Sequence, residues 1–276
     1  MHNWGWSVAQ RLAWINACVD CGVSSFDHAD IYVGYTVESL FGEALAVSPG
    51  LRKKIQLISK CGIQLVSGAR PQHRIKAYDT SASHIERSVE QSLRALGTDY
   101  LDTLLLHRPD PLLDADELAA CFQRLQLAGK VLNFGVSNFT PMQFALLHSR
   151  MPLVTNQVEC SPLHRAPLHD GTFDQAQQLR LAPMIWSPLA GGKLFSSDDA
   201  AAMRVQSTLQ TAAARFDVSV ATVAYAWLAC LPCRPHLIVG SSRIAAVREA
   251  LAALALNLDA QSWHEIWASA AGQDVP

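Results

Sequence analysis

No stretch of the chain approaches the roughly 18 consecutive apolar residues that a membrane-spanning helix needs, so no membrane partner is expected. The opening residues, Met1-His2-Asn3-Trp4-Gly5-Trp6, lack a charged region followed by an apolar run, and no secretory signal is expected. Charge is scarce and balanced. Only 17% of the 276 residues are charged and the formal net charge is -2, which gives no basic face for nucleic acid or an anionic membrane. No G-x-G-x-x-G is present, so the Rossmann dinucleotide fingerprint is missing. Internal repeats, low-complexity tracts and composition breaks are also missing, and one domain over residues 1–276 is expected. Cysteine is neither absent nor paired off. Seven are scattered along the chain, an odd count that suits a reducing cytoplasm better than a disulfide framework. The pairs Cys18/Cys21 and Cys230/Cys233 have the spacing of zinc ligands. They also lie in or at the ends of helical apolar patterns, where small buried thiols are common, and no metal is expected.

What is present is alternation. Short apolar runs at Ser24–Asp27, Gln56–Lys60, Leu101–His107, Asn133–Ser137, Leu153–Val158, Pro183–Ser187 and His236–Gly240 read as strands. Helical patterns lie between them, near Val8–Cys21, Val37–Val47, Ser81–Leu96, Asp114–Ala128, Pro141–Ser149, Phe173–Leu181, Thr208–Ala229 and Ile244–Leu254. Such alternation argues an α/β fold with a parallel sheet covered by helices, either a barrel or an open doubly wound sheet. Ser81 reads as an N-cap and Gly97 as a stop, and Thr140-Pro141 as the start of another helix. Gly62–Thr80 and Glu159–Asp170 have no clear period and are long for connections, which suits binding loops.

Asp27, Tyr32, Lys60 and His107 sit at or just beyond the ends of three successive apolar runs. In a (β/α)8 barrel the chemistry lies at the C-terminal rim, built from several strand ends. A carboxylate, a phenol, an amine and an imidazole gathered there can protonate a carbonyl oxygen. A free phenol is a poor acid near neutrality, and an adjacent ammonium favours its ionised form. Lys60 on the next strand is the candidate ammonium. Asp27 is its candidate partner, and His107 a candidate to bond the same substrate oxygen. Taken singly, each has a plainer reading: Tyr32 as a rim residue, Lys60 as a snorkelling side chain, His107 as a strand terminator.

These segments resemble the aldo/keto reductase family along essentially the whole chain from about Trp4. The resemblance is carried by Phe26-Asp27-His28-Ala29-Asp30-Ile31-Tyr32, Ser59-Lys60-Cys61-Gly62, Leu106-His107-Arg108-Pro109 and Phe134-Gly135-Val136-Ser137-Asn138. It continues through Thr155-Asn156-Gln157, Trp186-Ser187-Pro188-Leu189-Ala190-Gly191-Gly192 and Ile238-Val239-Gly240-Ser241-Ser242. Within the family it is most similar to a bacterial branch of NADP-dependent oxidoreductases. The resemblance implies a TIM barrel that binds NADPH and reduces a small-molecule carbonyl substrate in the cytoplasm. It implies Tyr32 as general acid, Lys60 and Asp27 as its tuning pair, and His107 orienting the carbonyl. Ser137, Asn138 and Gln157 would hold the nicotinamide carboxamide, and Trp186 would stack on the ring. Ser187, Leu189, Gly191 and Lys193 would line the pyrophosphate. Gly240, Ser241, Ser242 and Arg243 would receive the adenosine 2′-phosphate.

Two departures from the family pattern stand out. Ala246 and Ala250 occupy positions where members often carry Arg and Asn, leaving Arg243 as the better placed cation and a weaker NADPH preference expected. The family's first strand and N-terminal hairpin precede the position of Trp4, so a barrel lacking or shortened there is expected. A nicotinamide-binding regulatory module and a truncated, poorly active paralogue are the alternatives to a working reductase.

Overall fold

A computed structural model describes residues 4–274. The fold divides into two compact units, one ending at Asn156 and the other beginning at Gln157. In the first, α1 (Val8–Asp20) precedes β1 (Ser25–Asp27), α2 (Val37–Ala46) and β2 (Gln56–Cys61). A short hairpin, β3 (Ile63–Gln64) and β4 (Ala77–Tyr78), comes next. It is followed by α3 (Ala82–Leu96), β5 (Leu101–Leu106), α4 (Ala115–Leu127), β6 (Val131–Ser137) and α5 (Pro141–His148). The strands run parallel in the order β1-β2-β5-β6. The segment leading to Asn156 lies beside β6, with Val154 N–H donating to the Phe134 carbonyl at 2.8 Å.

The punctuation expected from the sequence is present. Ser81 accepts the His84 N–H, and Gly97 closes α3 in the left-handed conformation. Thr140 forms a capping box with Gln143, and Pro141 opens α5. Helix α3 buries Ile85, Val89, Leu93 and Leu96 on one stripe, each worth about 2 kcal/mol relative to exposure. Phe122 of α4 stacks on Phe134 of β6 with centroids 4.1 Å apart. Gly135 must be glycine, because a Cβ there would lie 2.7 Å from the Thr155 carbonyl oxygen and 2.8 Å from Leu105.

The second unit contains β7 (Asn156–Glu159, beginning at the junction), α6 (Thr172–Leu179), β8 (Met184–Trp186), α7 (Lys193–Ser196) and α8 (Ala200–Phe216). It continues with α9 (Val220–Ala229), β9 (His236–Leu237), α10 (Ile244–Ala253) and α11 (Ala260–Ala271). Its strands are parallel in the order β7-β8-β9. Trp227 and Trp263 stack at 5.0 Å, and each indole N–H donates to the other's backbone carbonyl, at 3.0 and 2.8 Å. Two burial penalties are thereby removed at once.

Three local readings of the sequence differ from the structure. The single helix read over Thr208–Ala229 is two helices. Asp217 turns left-handed at φ 52° and Ser219 caps α9 by accepting the Thr222 N–H. The period-free stretch Gly62–Thr80 contains the β3–β4 hairpin. A further helix, α11, follows Asp259, whose carboxylate accepts the Ser262 N–H. Among the described residues no helix is long and apolar enough to cross a membrane.

Candidate functional site

Lys60 is the hub of the first unit's C-terminal strand ends. It is the penultimate residue of β2, is 1% exposed, and directs its ammonium at three acceptors. Nζ donates to Asp27 Oδ2 at 2.6 Å, to the His28 carbonyl at 2.7 Å and to the Tyr32 hydroxyl oxygen at 3.0 Å. Register explains the meeting. Asp27 of β1 pairs with Ile58 of β2, two residues before Lys60, and the His28 N–H donates to the Ile58 carbonyl. The chain then returns alongside, with the Asp30 N–H donating to the Lys60 carbonyl at 3.0 Å. His107 immediately follows β5, and its ring stands edge-on to Tyr32 with centroids 5.9 Å apart. The structure thus brings Asp27, Tyr32, Lys60 and His107 into one cluster.

The electrostatics follow from burial. Burial pulls Lys60 toward its neutral form, but the Asp27 carboxylate and the Tyr32 hydroxyl outweigh it and raise its pKa above the ordinary lysine value. Lys60 is therefore an ammonium at neutral pH. His107 goes the other way. Burial first, then the cations Lys60, Arg108 and Lys76, push its pKa down to about 3. It is a neutral imidazole under working conditions, and its buried Nδ1 has no partner among the described residues. Such a ring can offer a hydrogen bond but brings no charge.

Behind Lys60, burial disfavours the charged forms of three further groups. His28 is wholly buried, and burial drives its pKa well below the ordinary value. Burial raises Asp30 well above the carboxylate range, with Glu38 adding to the effect. Glu38 is also raised by burial, and its Oε1 accepts the Ser59 hydroxyl at 2.5 Å. Asp27–Lys60 is thus an ion pair set among groups whose charged forms burial disfavours.

At the end of β6, Ser137 is buried and Asn138 is left-handed at φ 60°, with Asn138 Nδ2 donating to Ser137 Oγ at 2.7 Å. The other candidate residues belong to the second unit. Gln157 on β7 is buried, with Nε2 3.7 Å from Met184 Sδ. Trp186 ends β8 and is half-buried. Beyond it Ser187, Ala190, Gly191 and Gly192 all have positive φ, winding the backbone tightly before Lys193 opens α7. Nothing lies within 4 Å of a Cβ built on Gly191, Gly192 or Gly240, so bare backbone faces open space there. Arg243 is the exposed N-cap of α10, and its N–H donates to Ser241 Oγ at 3.2 Å. Ala246 and Ala250 are both buried in α10, and Arg248 is exposed.

Two contributors escaped the sequence reading. His28 serves through its backbone carbonyl, which no side-chain pattern can announce. Tyr35 accepts the Leu65 N–H through its hydroxyl and so pins the chain beyond β2. The pairing of two tyrosines around Gly34 was the available signal.

Helix-covered parallel strands with ionisable groups gathered at their C-terminal ends have the layout of an α/β enzyme. The chain belongs to the aldo/keto reductase family, whose model matches residues 2–271. It is 50% identical over 277 residues to an oxidoreductase of Escherichia coli, YdhF, covering 99% of this chain and 92% of that protein. It is 43% identical over 271 residues to a 6-dehydroglucose reductase of Agrobacterium fabrum, covering 98% and 90%. Its fold matches that of a thermostable aldo-keto reductase crystallised with the inhibitor epalrestat. The TM-score is 0.79 at 24% identity, over 95% of this chain and 88% of the other.

Proposed function

We propose that the protein is an NADPH-dependent oxidoreductase that reduces aldehydes or ketones to alcohols. The observation that carries this reading is the buried Lys60 ammonium shared between the Asp27 carboxylate and the Tyr32 hydroxyl. When bound, NADPH supplies a hydride to the carbonyl carbon. Tyr32 gives its phenolic proton to the carbonyl oxygen. Lys60 stabilises the phenolate left behind, and Asp27 holds Lys60 in place. His107, being neutral, orients the same oxygen by a hydrogen bond. One hydride and one proton complete the conversion of carbonyl to alcohol.

The residues present suit such a cofactor. Ser137, Asn138 and Gln157 offer amide and hydroxyl groups for a carboxamide, and the indole of Trp186 has an ample face for a flat ring. Ser187, Leu189, Gly191 and Lys193 supply open backbone and one cation for a pyrophosphate. Gly240, Ser241, Ser242 and Arg243 stand at the N-terminus of a ten-residue helix, suited to a 2′-phosphate. The family match across residues 2–271 and the fold likeness support reading both units as one (β/α)8-type domain. All seven cysteines are free thiols, which supports a reducing cytoplasm.

The test is NADPH oxidation with a panel of aldehydes, run beside direct measurement of NADPH binding. Tight binding with turnover is the expected result. Tight binding with no turnover on any aldehyde would favour a nicotinamide-binding regulatory module instead.

A further inference from the structure

Tyr32 sits on neither a strand nor a helix. β1 ends at Asp27 and α2 begins at Val37, and Tyr32 lies in the turn between them. Directly after it the backbone is left-handed three times running, at Val33 (φ 47°), Gly34 (φ 67°) and Tyr35 (φ 70°). Side chains disfavour that conformation, a β-branched one such as valine most of all. It persists where the surrounding structure over-determines it.

The backbone bonds within the turn are long. The Tyr32 N–H donates to the Ala29 carbonyl, the Gly34 N–H to the Ile31 carbonyl and the Thr36 N–H to the Tyr32 carbonyl, each at 3.2 Å. Thr36 Oγ1 adds a bond to the Val33 carbonyl at 2.8 Å. Tethers from outside the turn lie on both sides of Tyr32. Upstream, the Asp30 N–H donates to the Lys60 carbonyl at 3.0 Å. Downstream, the Tyr35 hydroxyl oxygen accepts the Leu65 N–H at 2.9 Å, and the Arg70 guanidinium lies 4.5 Å from the Tyr35 ring centroid. The far side of this second tether is itself held. His73 Nδ1 lies 3.1 Å from the Leu65 carbonyl oxygen, and Arg70 Nη2 donates to Gln91 Oε1 on α3 at 2.6 Å. A Cβ built on Gly34 would lie 3.4 Å from Ser67 Oγ, so the chain past β3 rests against the turn.

We propose that Tyr35 is a positioning residue for the reduction: its hydroxyl, fixed on Leu65, holds the left-handed turn that keeps the Tyr32 hydroxyl 3.0 Å from Lys60 Nζ. The inference rests on the reductase reading and adds a residue that acts through Tyr32. The same bond ties the general acid to the chain that leads into the β3–β4 hairpin.

The test is Tyr35→Phe, which deletes the hydroxyl, keeps the ring beside Arg70 and leaves the Leu65 N–H without this acceptor. Amide hydrogen exchange reads the turn with no substrate present, and exchange at Gly34 and Thr36 should quicken by about tenfold, the scale of one lost hydrogen bond. With NADPH and an aldehyde, kcat should fall by about tenfold, less than the roughly 100-fold cost of a 1 Å misplacement, while NADPH affinity stays within about twofold. Because Tyr35 acts through Tyr32, adding Tyr35→Phe to Tyr32→Phe should lower the residual kcat no further. An equal loss in both backgrounds would make Tyr35 merely structural and overturn the inference. Unchanged kcat in the single variant, or unchanged exchange at Gly34 and Thr36, overturns it as well. If the wild-type protein turned over no aldehyde, the reductase reading itself would fail, a different result from wild-type turnover that Tyr35→Phe leaves intact.

Discussion

Two cation–carboxylate pairs bracket β2, one at each end, and they are built to different standards. At the N-terminal end Arg52 meets Asp102 at 2.8 Å, with side chains 13% and 18% exposed. Its Nε donates to the Thr98 hydroxyl, Nη1 to the Ile55 carbonyl and Nη2 also to the Tyr100 carbonyl. Asp102 Oδ2 accepts the Leu57 N–H as well, and the guanidinium lies 3.8 Å from the Tyr100 ring centroid. Each guanidinium nitrogen has a hydrogen-bond partner. At the C-terminal end Lys60 meets Asp27 at 2.6 Å, with exposures of 1% and 13%. There a third partner is a phenol, and the neighbouring imidazole has a buried nitrogen without a partner. The first pair is closed, and holds strands together. The second is more deeply buried, keeps an exchangeable proton in contact with the cation, and leaves hydrogen-bonding capacity unused. In parallel α/β barrels the N-terminal ends of strands carry stability and the C-terminal ends carry chemistry. On the proposed reductase reading, these two pairs follow that division.

Substitutions separate the two pairs. Lys60→Met should have the largest combined effect. Loss of the ammonium should lower kcat about 100-fold or more, the scale of general acid catalysis. It should also destabilise the protein by about 3–5 kcal/mol, because the largely buried Asp27 carboxylate, 13% exposed, loses its ammonium. A mutant with full activity and the wild-type pH–rate profile would rule out the coupling. Arg52→Met should do only half of this. It should cost about 2 kcal/mol in urea unfolding, less than Lys60→Met because its pair is partly solvated, while kcat stays within about twofold of wild type. If Arg52→Met reduced turnover as severely as Lys60→Met, the division between the ends of β2 would fail.

The third contrast is in pH dependence. The folded-state pKa of His107, about 3, lies below the ordinary value of 6.5. The unfolded chain therefore binds the extra proton first as pH falls. His107's contribution to stability is full above about pH 6.5 and is lost between there and pH 3. His28 is lowered as well, whereas Asp30 and Glu38 are raised and contribute with the opposite sign. The clean readout is thus the difference between proteins. Between pH 7 and pH 4.5, wild type should lose more stability than His107→Gln, whose side chain does not titrate. Equal losses would mean that His107 is not held neutral. The smallest effect concerns the second unit. Arg243→Ala should weaken NADPH binding by about tenfold and leave NADH binding nearly unchanged, as expected for a cation on the 2′-phosphate. Equal loss for both cofactors would put Arg243 on the shared pyrophosphate.

The sequence disclosed these regions unequally, for physical reasons. Asp27, Lys60 and His107 were legible because a polar residue at the end of a buried parallel strand breaks an apolar run visibly, and three did so in succession. The β3–β4 hairpin was not legible, since two-residue strands are too short to show alternation. The break between α8 and α9 was hidden because Asp217, not a Gly or Pro, adopts the left-handed turn within an Ala-rich pattern. Helix α11 did have a signal, in Asp259 followed by Trp263, Ile266, Trp267 and Ala270 at helical spacing. At the second unit's candidate cofactor residues the sequence offered only glycines, serines and a tryptophan. Their meaning came from the family resemblance, not from spacing.

The most direct measurement is Tyr32→Phe, read in three ways on one preparation: kcat with an aldehyde, NADPH affinity and thermal unfolding. The change removes the hydroxyl that Lys60 contacts and keeps the ring beside His107. The expected result is a fall in kcat of about 100-fold or more, with NADPH affinity and Tm nearly unchanged. Retention of more than roughly a tenth of wild-type kcat would show that Tyr32 is not the proton donor, and that the Lys60 cluster is a structural pair like the one at the other end of β2.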